Sequence, residues 1–140
     1  MYKLVDFSIG IHDFAVQYLE TQQVKEGVEC DVYEIIGDSV RDLAIVRVKA
    51  GHKTPLQKVL KGVETIEGFI DGRATLTVMS STSDSEPQVY SFDAGQDVGK
   101  EVIVQVGQIV QWTASSDADL TFYEICTPPY EDGRFEDLAE

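Results

Sequence analysis

From about residue 28 onward, the chain is a series of short apolar segments separated by turn-forming residues, and this pattern restricts the fold more than any other feature. Residues 28–36 (VECDVYEII) alternate apolar and acidic side chains, as an antiparallel strand with one buried face does. The dipeptide Asp71-Gly72 separates segments 63–70 and 73–79 and favours a tight hairpin turn between them. Further strands are predicted over residues 43–48, 88–92, 101–106, 109–113 and 120–126. Many short strands at even spacing, with little helix, predict an all-β sandwich or barrel.

The best candidate for a helix lies near the start of the chain, where apolar residues recur at helical spacing around Asp13, a residue type that can cap a helix. The residues at this spacing are Ile11, Phe14, Ala15, Tyr18 and Leu19. Because Phe14, Val16 and Tyr18 also alternate, an extended conformation stays open. We therefore expect a short N-terminal segment, helical or extended, within an extension over residues 1–39.

The length of 140 residues suits one domain with its own core, and no internal repeat or composition shift divides the chain. We predict a single domain over residues 1–140, with its core at about 40–130. The polar segment 80–87 (SSTSDSEP) cannot bury enough apolar area to order itself, so a mobile loop is predicted there. An irregular acidic tail is predicted over 128–140, because Pro128-Pro129 cannot occupy a central strand.

The charge balance argues against two classes of partner. Eleven Lys and Arg against 25 Asp and Glu give a formal net charge of −14, and such a surface repels nucleic-acid phosphates and anionic membranes. No apolar run approaches the roughly 20 residues of a membrane span, and the segment MYKLVDFSIG lacks the layout of a signal peptide. A cytoplasmic location is therefore predicted. Cys30 and Cys126 are expected to be buried, reduced thiols.

Three segments resemble motifs of the cupin family. Ala50-Gly-His-Lys-Thr-Pro-Leu-Gln-Lys-Val, followed by Glu64 and by Gly-Phe-Ile-Asp-Gly ending at Gly72, has the layout of the first cupin motif. Val106-Gly-Gln-Ile-Val-Gln-Trp-Thr-Ala is similar to the start of the second, and Tyr123-Glu-Ile-Cys-Thr-Pro-Pro-Tyr resembles the last strand of small cupins. The resemblance covers the predicted core and implies a cupin-like jelly-roll barrel, the double-stranded β-helix.

The same resemblance implies a metal site, but this chain lacks most of its ligands. Cupins hold a divalent metal with two histidines in a His-x-His step, a glutamate and a third histidine. These positions fall here on Gln57, Val59, Thr65 and, approximately, Ala118. His52 precedes the motif strand at a turn, so no metal and no cofactor are predicted. An atypical set of Glu64, Glu67, Gln57 and His52, suited to Mg²⁺, Ca²⁺ or Mn²⁺, stays open as an alternative.

Strand alternation predicts which side chains line the barrel. If Gln57 and Val59 point inward, then Thr65, Glu67 and Phe69 do so on the next strand. A carboxylate in an apolar cavity is either paired or functional, which makes Glu67 the candidate catalytic residue, with a structural brace as the alternative. Trp112 is expected to wall the cavity, and only one of the neighbours Tyr123 and Glu124 can face inward. The predicted ligand-binding residues are Gln57, Thr65, Glu67, Phe69, Trp112, Tyr123, Lys53 and Lys58.

Basic residues are concentrated in segment 47–61, which contains no Asp or Glu. Its basic members are Arg47, Lys49, His52, Lys53, Lys58 and Lys61. This stretch favours an anionic ligand through local steering. The alternative is that it pairs with the acidic tail of the same or a neighbouring chain, which includes Glu131, Asp132, Glu136, Asp137 and Glu140. Pairing between chains predicts a homodimer.

The sequence therefore predicts a metal-independent cupin-fold protein that binds a small ligand, an anion in this interpretation, inside its barrel. The main alternative is an isomerase or lyase for a carbohydrate or carboxylate substrate, with Glu67 or Glu124 as general base and Tyr123 or a lysine polarising the substrate. A purely structural dimerisation module is the remaining hypothesis.

Overall fold

A computed structural model describes residues 3–80, 86–129 and 133–140, and within them the chain forms strands and no helix. The strands are β1 (Asp6–Ile9), β2 (His12–Lys25), β3 (Val28–Ile35), β4 (Asp38–Val48), β5 (Gln57–Val59), β6 (Glu64–Asp71), β7 (Arg73–Ser80), β8 (Gln88–Asp93), β9 (Glu101–Gln105), β10 (Gln108–Ala114), β11 (Leu120–Thr127) and β12 (Phe135–Asp137). They form a seven-stranded sheet, in the order β1-β2-β3-β4-β11-β6-β9, and a five-stranded sheet, in the order β12-β5-β10-β7-β8. The all-β prediction is confirmed. This part of the chain contains no helix that could cross a membrane.

The two sheets enclose an apolar core that is built from alternate residues of their strands. Its centre is Trp112 on β10, whose indole stacks on the ring of Phe122 with 4.6 Å between centroids. Phe92 lies 5.3 Å from Trp112 and stacks on Phe69 at 5.4 Å, so an aromatic chain links both sheets. Edge and stacked ring pairs of this kind add to the stability that apolar burial supplies.

A second core lies on the outer face of the seven-stranded sheet, under the β1–β2 hairpin. Phe7 of the hairpin packs edge-on against Tyr123 of β11, with 5.0 Å between centroids. At the hairpin tip, His12 Nε2 lies 2.5 Å from Glu101 Oε2 on edge strand β9, so the hairpin is attached across the sheet. Val16 is buried in this core, whereas Asp13 and Ala15 are not.

The N-terminal segment is therefore extended, and its helical alternative is wrong. Residues 12–25 form one long strand, because the alternating side chains His12, Phe14 and Val16 can cover the sheet only in an extended conformation. The predicted strands from residue 28 onward are all present. The predicted hairpin at Asp71-Gly72 is wrong, because β6 pairs with β9 and β11 whereas β7 pairs with β8 and β10, so the chain passes from one sheet to the other at Gly72. The predicted loop over 80–87 falls mainly on residues 81–85, which lie outside the described residues.

The C-terminal tail folds onto the barrel of its own chain. The predicted irregular structure is wrong for Phe135–Asp137, which pair with β5 because β5 would otherwise leave backbone groups unpaired at the sheet edge. Glu140 lies 3.3 Å from Lys53, so the basic stretch and the acidic tail meet within one chain. Arg134 is buried in the barrel wall, where its guanidinium donates hydrogen bonds to the carbonyl oxygens of Pro128 and Glu64. Of the tail's acidic residues, Glu131 and Asp132 lie outside the described part.

We predict that Gly68→Ala destabilises the protein by about 1–3 kcal/mol, as overpacked cores do. A Cβ at Gly68 would lie 2.0 Å from Cζ of Tyr123, and that ring is completely buried and cannot move away freely. Urea unfolding followed by circular dichroism measures the change. The control is Gly95→Ala, whose Cβ would come no nearer than 3.3 Å to Asp93 Oδ1. Equal unfolding midpoints for the two variants would contradict the close packing of β6 on Tyr123.

Candidate functional site

A cavity of about 1050 Å³ opens inside the barrel and continues into a groove along β2, β3 and β4. Its apolar walls combine residues from both sheets: Val28, Val46, Val110, Trp112 and Phe122. Apolar walls with a few converging polar groups are the usual composition of a small-molecule site. The cavity is thus large enough for a ligand of drug-like size.

Glu67 is the most deeply buried of the charged residues that line this cavity and are described, with 1% of its surface exposed. Its position on β6 turns it towards the core, and Trp112 Nε1 donates a hydrogen bond of 2.7 Å to Oε1. Oε2 has no hydrogen-bond partner among the described residues. A buried polar atom without a partner carries a desolvation cost. This oxygen is therefore a position where a bound molecule can complete the hydrogen bonding.

Glu124 lies directly opposite Glu67 on the neighbouring strand, because the two residues are cross-strand partners in the β6–β11 pair. Opposite residues on one face of an antiparallel pair bring their side chains together. Burial raises the pKa of Glu67 well above its ordinary value, and the charge of Glu124 raises it further. Burial also raises the pKa of Glu124. Two carboxyl groups so placed titrate as a pair, and the pair keeps its last proton to a higher pH than an exposed carboxyl does.

Two thiols lie beside this carboxyl pair and line the same cavity. Burial raises the pKa of Cys30 to about 12, with the charge of Glu124 acting in the same direction. Burial also raises the pKa of Cys126 above its ordinary value. Both cysteines are free and stay protonated, so they are poor nucleophiles.

Three of the predicted ligand-binding residues, Gln57, Glu67 and Trp112, line the cavity together. Thr65 and Phe69 share the inward face of β6 with Glu67 but are covered by other side chains. Thr65 Oγ1 accepts a hydrogen bond of 3.2 Å from Arg134, and Phe69 stacks on Phe92. They support the wall of the cavity and do not form its surface.

The other three predicted residues lie elsewhere. Tyr123 points to the outer face of the sheet, where its hydroxyl donates a 2.5 Å hydrogen bond to Glu101. Strand alternation leaves only one of two neighbours facing inward, and here that neighbour is Glu124. Lys53 and Lys58 do not line the cavity: Lys53 pairs with Glu140, and Lys58 lies opposite Glu136 in the β5–β12 pair.

Sequence reasoning missed Cys30, Asp42 and Arg41 as lining residues. They come from β3 and β4, and the cupin resemblance supplies no motif for the pairing of those strands. The alternation of residues 28–36 was the available signal, since it puts Val28, Cys30 and Val32 on one face. Arg41 does not act as a free cation, because it makes a 2.8 Å ion pair with Asp38.

The positions implied by the cupin resemblance do not fit a metal ion. Val59 is apolar and buried, the Thr65 hydroxyl is bonded to Arg134, and the Gln57 amide donates to Asp137 Oδ1 at 2.8 Å. His52 is outside the cavity lining, with its ring against Gly27. In the described ranges, no three His, Cys, Asp or Glu side chains come together in an arrangement that could hold a metal.

The structure is similar to several solved proteins of low sequence identity. Oxalate decarboxylase from Lactobacillus farciminis matches with a TM-score of 0.67 and 18% identity, over 88% of this chain and 33% of that one. CapF, a capsular polysaccharide assembling protein from Staphylococcus aureus, matches with a TM-score of 0.69 and 12% identity, over 91% of this chain and 32% of that one. The 7S globulin of Momordica charantia matches with a TM-score of 0.62 and 16% identity, over 87% and 34%.

At these identities the likeness concerns the fold alone, and the chain spans about a third of the length of the proteins it matches. No family model matches the chain, and no curated protein sequence does.

We predict that Glu67→Gln becomes increasingly stabilising relative to the wild type as the pH rises. The native pKa of Glu67 lies above its ordinary value of 4.5, so the folded protein holds a proton that the unfolded chain loses. The free energy of unfolding therefore falls as the pH rises from about 4.5 towards the native pKa. Glutamine resembles the protonated form and does not titrate.

Urea unfolding at about pH 5 and about pH 8 measures the effect, and the stability difference should move in favour of Glu67→Gln by at least about 1 kcal/mol. The control is Glu26→Gln, an exposed turn residue outside the cavity. A stability difference that does not change with pH would show that Glu67 is ionised in the folded protein.

Proposed function

We propose that this cupin-fold protein binds a small organic molecule inside its barrel. The predicted cupin fold is confirmed, since oxalate decarboxylase and CapF are both cupin-fold proteins. The observation that carries the proposal is that no described N–H or hydroxyl group donates to Oε2 of Glu67, which is buried beside Glu124 in a cavity of about 1050 Å³. A ligand hydrogen-bond donor at this oxygen would offset its desolvation while the ligand's apolar part fills the space between the walls.

The charges of the cavity argue against the anionic ligand that the basic stretch predicts. Among the described residues of the lining, the charged ones are acidic apart from Arg41, which is paired with Asp38; the acidic residues are Glu20, Glu34, Asp38, Asp42, Glu67 and Glu124. An anion brought into this space would meet carboxylates across a low-dielectric interior, where like charges repel strongly. We therefore propose that the ligand is a neutral or cationic molecule.

The test is a fluorescence titration with N-phenyl-1-naphthylamine, a neutral apolar probe that emits strongly only when it is removed from water. Ala44 lies opposite Glu124 on β4 and lines the cavity, so Ala44→Phe places a ring over the carboxyl pair. We expect the wild type to bind the probe and Ala44→Phe to weaken binding by about tenfold or more.

The matched control for this titration is Val40→Phe on the same strand, because Val40 is 61% exposed and lies outside the cavity lining. Val40→Phe should bind the probe as the wild type does. Trp112, the single tryptophan of the chain, lies in the cavity wall, so quenching of its emission provides a second readout. Equal probe affinities in all three proteins would place the binding site outside the barrel.

A second candidate function is proton transfer by an isomerase or lyase with Glu67 as general base. The specific observation in its favour is the Glu67–Glu124 pair, because neighbouring carboxyls with different environments can divide the acid and base roles. Tyr123 takes no part in this version, since its hydroxyl is on the other face of the sheet.

The enzyme hypothesis predicts that the wild type exchanges a carbon-bound hydrogen of its ligand with D₂O and that Glu67→Gln does not. A library of neutral carbohydrates can be incubated with each protein and read by mass spectrometry. Incorporation of deuterium by both proteins, or by neither, would leave ligand binding as the function. The homodimer and the cytoplasmic location stay predictions.

A further inference from the structure

The carboxyl pair of β6 and β11 determines which class of molecule the cavity can hold most favourably. Glu67 and Glu124 are in register on adjacent strands, and both line the cavity. One oxygen of Glu67 accepts from Trp112, whereas no described N–H or hydroxyl group donates to the other, and the carboxyl of Glu124 is its neighbour. Once the shared proton has left, Oε2 of Glu67 and the carboxylate of Glu124 are both hydrogen-bond acceptors. The site therefore suits a ligand group that has several N–H donors and a positive charge.

We propose that the ligand is a protonated organic amine with an apolar body, and that its ammonium group replaces the proton shared by Glu67 and Glu124. This inference rests on the proposed function, because it names the class of molecule that the same cavity binds. The ammonium donates to Oε2 of Glu67 and to the Glu124 carboxylate, and the body of the ligand packs between Val46, Val110 and Phe122.

The groups that face the pair leave its environment negative. Asp42 on β4 raises the pKa of Glu124, while Arg134 lowers it. The guanidinium of Arg134 is nevertheless occupied with Pro128 O, Glu64 O and Thr65 Oγ1. Cys30 on β3 and Cys126 on β11 add thiols that stay neutral. β10 contributes Trp112, which has a donor and no charge.

The binding step balances in charge and protons. Before binding, the pair holds one proton and one negative charge. The ammonium enters with its own proton, the shared proton leaves to solvent, and the complex contains two carboxylates beside one cation. Because a proton is released, affinity must rise with pH until the free pair has lost its proton. An alkylammonium keeps its charge up to about pH 10, so loss of the ligand's own proton does not limit the rise in the neutral range.

Three probes of nearly equal shape separate charge from size: tryptamine, tryptophol and indole-3-acetate, which are cationic, neutral and anionic. Isothermal titration calorimetry on the whole chain, in phosphate and in Tris at about pH 7, gives the affinity and the number of protons released. We expect tryptamine to bind about tenfold or more tightly than tryptophol, indole-3-acetate to bind more weakly than tryptophol, and tryptamine alone to release up to about one proton.

Two substitutions test whether the preference for tryptamine and the release of a proton depend on the Glu67–Glu124 pair. Glu67→Gln and, separately, Glu124→Gln should bring the tryptamine affinity close to that of tryptophol and abolish proton release. Glu26→Gln should behave as the wild type, since Glu26 is an exposed turn residue outside the cavity. Two variants are used so that one remains informative if the other does not fold. Tryptamine binding that is unchanged in both would overturn the inference.

The failures of the two proposals are distinguishable. If tryptophol or indole-3-acetate binds as tightly as tryptamine, the amine inference is wrong and ligand binding in the barrel stands. If none of the three probes binds and N-phenyl-1-naphthylamine does not either, both proposals are wrong. If tryptamine binds more tightly at about pH 6 than at about pH 8, the proton linkage has the opposite sign and the role of the shared proton is refuted.

Discussion

The burial of strand β11 on both faces is the constraint on which the rest of this structure depends. Phe122 and Glu124 point into the barrel, while Tyr123 and Ile125 point into the core beneath the N-terminal hairpin. Successive residues of a strand face opposite sides, so one short strand supplies the cavity with a carboxyl group and attaches the hairpin. A one-residue slip would exchange the two sets and lose both cores at once.

Because β11 is buried, the Glu67–Glu124 pair lies in an apolar interior and lowers the stability of the fold. A purely structural role therefore does not account for the pair. Placing Glu67 beside Glu124 in an apolar interior disfavours the charged form of each. Trp112 donates to Oε1 of Glu67, whereas no described N–H or hydroxyl group donates to Oε2, and the other neighbour of this carboxyl is the carboxyl of Glu124. The stacking of Trp112 on Phe122 stabilises the barrel, whereas the Glu67–Glu124 pair does not.

Much of the fold followed from the sequence because strand alternation and turn residues are local signals. The inward position of Glu67 could be predicted, since Thr65, Glu67 and Phe69 alternate along β6 and therefore share one face. Which of Tyr123 and Glu124 faces the cavity could not be predicted, because both faces of β11 are buried and alternation then gives no preference. The N-terminal segment was ambiguous for a related reason: packing against Tyr123, a contact distant in sequence, decides that it is a strand.

In this chain, the carboxyl pair lies close to the barrel position at which the cupin resemblance expects a metal-binding glutamate. The resemblance places a metal-binding glutamate at Thr65, and Glu67 lies two residues further along β6, hence on the same face at a distance of about 7 Å. The interior therefore still contains acidic oxygens. They belong to Glu67, two residues from the expected ligand position, and to Glu124 opposite it, and among the described residues no histidine joins them in a metal-binding group. Two carboxyls without imidazole ligands are better suited to an exchangeable cation with N–H donors than to a transition metal. Because the pKa of both carboxyls is raised, the stability of the barrel depends on pH, and a ligand that binds the pair would link this stability to the occupancy of the cavity.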